Sequence, residues 1–154
     1  MKTQILIFSS ILIFSLTACG QSDKAVPAAI KSAFSRKFSG ATGVKWGNES
    51  INEWEAEFRM EGKEYSANFD NSGTWMETEY EISAKEIPAV VNDAINKELP
   101  GYRMNESEIS ETAKGKVYEF VLSKGREKME AAFDINGTLI SKETVKEENG
   151  KEEK

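Results

Sequence analysis

The chain has 154 residues, with 20 Lys+Arg against 26 Asp+Glu and a formal net charge of −6. Histidine is absent, which removes the commonest general base, the commonest metal ligand and the usual pH switch. The acidic balance argues against nucleic acid as a partner, because phosphate binding needs a basic face.

At the start of the chain, Lys2 precedes an almost wholly apolar run over residues 5–16, and Leu16-Thr17-Ala18-Cys19 follows. The run is too short to span a bilayer as a helix and has the layout of a secretory signal peptide. The small residues before the cysteine resemble a bacterial lipoprotein signal. That resemblance makes residues 1–18 the signal peptide, Cys19 the acylated first residue of the mature chain, and residues 19–26 a tether. Acyl chains on Cys19 would hold the protein to the membrane without spanning it. Gly20, not Asp, follows the cysteine, and by resemblance to Gram-negative lipoproteins this favours the outer membrane. Cys19 is the single cysteine, so no disulfide can form within the chain and the fold must rest on its apolar core.

Pro27 opens a helical pattern in which Ile30, Phe34 and Phe38 form one stripe, and Gly40 ends it. Short alternating runs follow. Val44 and Trp46 flank Lys45; WEAEFRM places Trp54, Ala56, Phe58 and Met60 on one face and Glu55, Glu57 and Arg59 on the other. Tyr65, Ala67 and Phe69 alternate next, the stretch FDNSGTW turns the chain, and Trp75 to Ile82 reads as a fourth strand. The pattern then restarts. Pro88 opens a second helix with Ile87, Val91, Ile95 and Leu99 on its stripe, and Pro100-Gly101 ends it. Ser83 and Glu86 have capping-box spacing, which would start a helical turn before Pro88. Strands are predicted near 104–110, 116–123, 126–134 and 138–143, with FDINGTL at 133–139 repeating FDNSGTW at a shift of 64 residues.

These elements predict an α+β fold of two tandem repeats, 27–82 and 83–143, each one helix followed by a roughly four-stranded antiparallel sheet. How the two sheets join is not legible from periodicity. The charged tail over 144–154 has too little apolar surface to order itself.

Pro27-Ala28-Ala29, Gly40, Val44-Lys45-Trp46, the WEAEF strand and FDNSGTW together resemble the PepSY-like family of secreted bacterial proteins. The resemblance covers roughly residues 26–143. The second half departs from it, lacking the Val-x-Trp strand and carrying Leu139 where the first half has Trp75. Membership implies a fold like that of the beta-lactamase inhibitor protein, and by analogy a role in inhibiting a protease or another enzyme. A fold does not by itself carry a function.

The residues offer little chemistry. FDNSGTW and FDINGTL have too few spaced oxygen ligands for a calcium loop and read as a duplicated turn, with Asp starting it and Gly in the left-handed position. No metal, cofactor or catalytic residue is assigned, and no histidine could activate a serine. Glu55, Glu57, Glu77 and Glu79 form a candidate acidic face that could hold a cation or a basic peptide; a solvated sheet face accounts for the same residues. Comparison of the halves places Trp75, Val121, Ala132 and Leu139 on a candidate contact surface, with burial inside the protein as the simpler account. The resulting expectation is a lipid-anchored, non-catalytic module that binds an envelope protein or peptide. The alternatives are a carrier of a small ligand or cation and a purely structural envelope protein.

Overall fold

The computed structural model describes residues 26–145. The signal peptide, Cys19, most of the tether and most of the charged tail lie outside the described residues.

Element order is α1 (Ala28–Lys37), β1 (Thr42–Ser50), β2 (Glu53–Met60), β3 (Lys63–Asp70), β4 (Trp75–Glu81), α2 (Ala89–Glu98), β5 (Arg103–Thr112), β6 (Gly115–Lys124), β7 (Glu127–Asp134) and β8 (Leu139–Val145). All eight strands form one antiparallel sheet in chain order, β1 to β8. The expectation of two tandem helix-and-sheet repeats is therefore wrong: the described residues are mostly β, a single sheet with two helices. The correction lies at the seam. Glu77 pairs with Thr112, Glu79 with Ser110 and Glu81 with Glu108, so β4 and β5 are hydrogen-bonded neighbours. A break there would leave two inner edges with unpaired backbone groups, and joining them removes both.

Both helices lie on the same side of the sheet. Pro27 and Pro88 are the N-caps, and each helix ends before its predicted stop, at caps Phe38 and Leu99. Ile30, Phe34 and Phe38 of α1 pack on Trp54, Ala56, Phe58, Ala67 and Phe69. Val91, Ile95 and Leu99 of α2 pack on Ile109, Tyr118, Phe120, Leu122, Ala131 and Phe133. Two separate cores thus sit under one sheet, the first rich in aromatics, with Phe34 meeting Phe58 edge-on at 5.0 Å between centroids. The Ser83–Glu86 stretch is a turn, not the start of a helix: the Ser83 N–H donates to Glu86 Oε2 at 2.9 Å, and Lys63 engages the same carboxylate.

The two repeated turns are built alike. Asp70 Oδ1 accepts from the N–H groups of Ser72 and Thr74, each at 2.8 Å. Asp134 Oδ1 accepts from those of Asn136 at 2.9 Å and Thr138 at 2.8 Å. Gly73 and Gly137 follow at φ +86° and +78°. Each turn tucks beneath a helix: a Cβ on Gly73 would stand 3.1 Å from the Ala29 carbonyl oxygen, and one on Gly137 only 2.7 Å from that of Val90. The carboxylates hold the turns closed through backbone donors, which is an architectural role.

Candidate binding face

With both helices on one side, the other side of the sheet is uncovered by any described element. Its residues follow from strand parity and register. Glu53, Glu55, Glu57 and Arg59 on β2 face Asp70, Asn68, Ser66 and Glu64 on β3. Asn68 and Ser66 face Glu77 and Glu79 on β4, which face Thr112 and Ser110 on β5. Glu108 on β5 faces Glu119 on β6, Glu119 faces Ala132 on β7, and Val121 faces Glu130. Carboxylates thus recur on six consecutive strands, β2 to β7, with serine, asparagine and a few small apolar side chains between them.

The structure brings the four predicted acidic residues, Glu55, Glu57, Glu77 and Glu79, onto this one face. It does not bring the four predicted contact residues together. Val121 and Ala132 lie on the open face, Val121 half-buried and Ala132 at 3% exposure. Trp75 and Leu139 lie on the covered face, half-buried against the first and second core respectively. The cause is a register shift in each hairpin, between Asn68 and Phe69 in β3–β4 and between Ala132 and Phe133 in β7–β8. One extra residue inverts the side on which the next side chain falls. Trp75 is held by its indole N–H, which donates to Thr78 Oγ1 at 2.8 Å, and by Lys37 Nζ, 3.5 Å from the ring centroid.

The centre of the face has unusual electrostatics. Glu79 is 8% exposed. Burial first, then the charges of Glu77, Glu119, Glu108 and Glu55, push its carboxyl up to about 9. Burial also raises Glu119 to about 7, with Glu77, Glu108 and Glu130 adding to it. Glu55 and Glu108 are raised as well, burial again being the largest cause. Hydroxyls relieve two of the group: Ser66 Oγ donates to Glu55 Oε1 at 2.6 Å, and Ser110 Oγ donates to Glu77 Oε1. Asn68, between Glu55 and Glu77, gives its amide N–H to Glu53 Oε1 at 3.1 Å, while its occluded Oδ1 has no partner. The centre of the face is short of hydrogen-bond donors.

Sequence reasoning missed Glu108, Glu119, Ser66, Ser110 and Asn68. The first two carried a signal: Glu106 and Glu108 alternate with Ile109's parity, and Glu119 sits between Tyr118 and Phe120. Which of these side chains meet across strands required the register.

Other features are weaker. No group of three or more His, Cys, Asp or Glu among the described residues is placed to hold a metal ion. A groove of about 280 Å³ between α1 and β1 is lined by Phe34, Phe38, Val44 and Trp46 among others, with no carboxylate in its wall. No helix among the described residues is long and apolar enough to cross a membrane.

Several solved structures share the fold. A BLIP-like protein from Bacteroides fragilis NCTC 9343 is 22% identical, with a TM-score of 0.70 over 77% of this chain and 86% of that one. A DUF2874 family protein from Bacteroides uniformis ATCC 8492 is 21% identical, with a TM-score of 0.72 over 77% of this chain and 89% of that one. A protein from Bacteroides eggerthii DSM 20697, described as a "putative periplasmic" protein, is 17% identical, with a TM-score of 0.71 over 78% and 89%. No curated protein matches the chain. Residues 52–141 match the family model described as "Putative beta-lactamase-inhibitor-like, PepSY-like". That match runs from the β1–β2 turn through most of the sheet, and with the shared fold it identifies the chain as a member of the PepSY-like family.

Proposed function

We propose that this protein is an envelope lipoprotein, held by acyl chains on Cys19 at the outer membrane, that acts as a non-catalytic binding module. Its contact surface is the open face of the sheet, and its partner is a protein or peptide of the envelope. Inhibition of an enzyme such as a protease is a special case of that binding. The observation that carries the reading is the asymmetry of the sheet: eight strands with both helices packed on one side and side chains of mixed character presented on the other. A broad, pre-formed surface of that kind suits recognition of another chain. The lipoprotein-like signal ending at Cys19 supports the location, and the family's inhibitor-like description supports binding over catalysis.

The cation-carrier alternative draws on the acidic face, but the carboxylates are spread along the strands and not gathered as metal ligands. The test is crosslinking capture in cells with the full lipoprotein. A Glu57→Lys, Glu81→Lys, Val121→Lys variant changes the open face; Lys97→Glu changes α2. A partner lost with the first variant and kept with the second is the expected result. A partner kept by the open-face variant overturns the reading.

A further inference from the structure

We propose that the centre of the open face is a socket for one cationic side chain, an arginine or lysine of the bound partner, seated on Glu79 with Glu77, Glu108 and Glu119 around it. The inference rests on the binding-module reading and specifies the chemistry of the partner.

Glu79 lies on an inner strand, paired through Ser66 to β3 and through Ser110 to β5. It is 92% removed from solvent, being 8% exposed, yet its carboxyl accepts no hydrogen bond from any described residue. The two hydroxyls in register with it are engaged elsewhere, Ser66 on Glu55 and Ser110 on Glu77. A buried carboxyl without a donor is costly, and such groups in folded proteins call for an explanation. The charges that act on it come from β2 (Glu55), β4 (Glu77), β5 (Glu108) and β6 (Glu119), and all four are negative. The fully occluded atom lacking a partner is Asn68 Oδ1, one row away; Glu79, on the uncovered side of the sheet, retains 8% exposure.

The missing component is therefore a donor that also carries positive charge. A metal ion fits poorly, since no three of these groups converge on a point. A guanidinium offers five N–H donors in a plane and an ammonium three, and either can serve carboxylates that are near one another without converging. The long apolar stem of such a side chain also needs cover. Val117, in register with Ser110, and Val121 supply it on β6. Without a partner, a proton on Glu79 limits the buried charge. On binding, that proton leaves to solvent and the carboxylate accepts hydrogen bonds from the incoming cation.

The full-length protein in detergent is titrated calorimetrically at pH 7 with the capped peptide Thr-Val-Arg-Val-Thr. The same peptide with citrulline, the neutral isostere of arginine, is the matched control. Repeating the titration in two buffers of different ionisation enthalpy counts protons released. Glu79→Gln keeps the shape of the protonated acid and so keeps the fold. Expected are binding of the arginine peptide at least ~10-fold tighter than the citrulline peptide, release of about one proton, and loss of both effects in Glu79→Gln. Equal binding of the two peptides, no binding of either, or unchanged binding by Glu79→Gln overturns the socket. So does saturable binding of calcium chloride that depends on Glu79, which would assign the site to a metal. If the socket fails while the open-face variant still loses its captured partner, the binding-module reading stands without it.

Discussion

Gly137 concentrates several constraints at one backbone position. Its φ of +78° is left-handed, and a Cβ there would stand 2.7 Å from the Val90 carbonyl oxygen, a backbone atom that cannot swing away. Gly73, its counterpart, has a nearest contact of 3.1 Å, and Gly43, at φ +65°, has open space around it. Conformational cost alone is about 1–2 kcal/mol for a left-handed non-glycine residue. Alanine substitution is therefore expected to cost about that much at Gly43, more at Gly73, and most at Gly137. Urea denaturation midpoints of the three variants check the order; equal losses would show that the helix contacts are irrelevant. Both turn glycines were legible from FDNSGTW and FDINGTL, because turn chemistry is local. That each turn would press on the start of a helix was not, because nothing in seven residues specifies what packs above them.

At the scale of elements, the two cores share one sheet. Phe69 and Phe133, in corresponding strands β3 and β7, are both fully buried at 0% exposure. Truncating either to alanine is expected to cost about 3–5 kcal/mol. Because β4 and β5 are paired directly, each variant should lower a single cooperative transition for the whole chain. Calorimetry and chemical denaturation check this; a second, resolved transition in either variant would show that the halves unfold independently. Strand existence was legible from alternation, and the inward set Trp54, Ala56, Phe58 was read correctly. The sides of Trp75 and Leu139 were not. Simple parity sends them outward, and a single extra residue at each hairpin reverses that. Such an insertion leaves no composition signal.

For the whole molecule, the raised and lowered carboxyls oppose one another. Glu79 is raised from an ordinary 4.5 to about 9, and Glu119 to about 7. Between those limits the folded chain keeps protons that the unfolded chain has lost, so stability falls as pH rises, by at most ~1.4 kcal/mol per pH unit for each group. On the acid side, Glu86 is lowered to about 2, by the Lys63 hydrogen bond first and then by Ser83. Asp70 is lowered, chiefly by the Ser72 hydroxyl, and Asp134, chiefly by the Thr138 N–H. Their contributions are present above the ordinary carboxylate range and are lost as pH falls through the lowered values. Stability should therefore peak near pH ~5, and Glu79→Gln should flatten the alkaline limb while leaving the acid limb unchanged. Denaturation across pH 2 to 9 checks both, and a wild-type stability that rises from pH 5 to pH 8 would contradict the assignment.

The sequence by itself determined the local order of the molecule: two proline-opened helices, the alternating strands, the two Asp-Gly turns, the acidic character of one strand face and the family resemblance. Each depends on residues close together along the chain, where spacing and propensity act. Tertiary structure alone decided that the strands close into one sheet, that both helices share a side, and that Glu79 is buried among four other carboxylates. Those outcomes depend on strand register and on edges seeking backbone partners, and the groups that settle them lie dozens of residues apart.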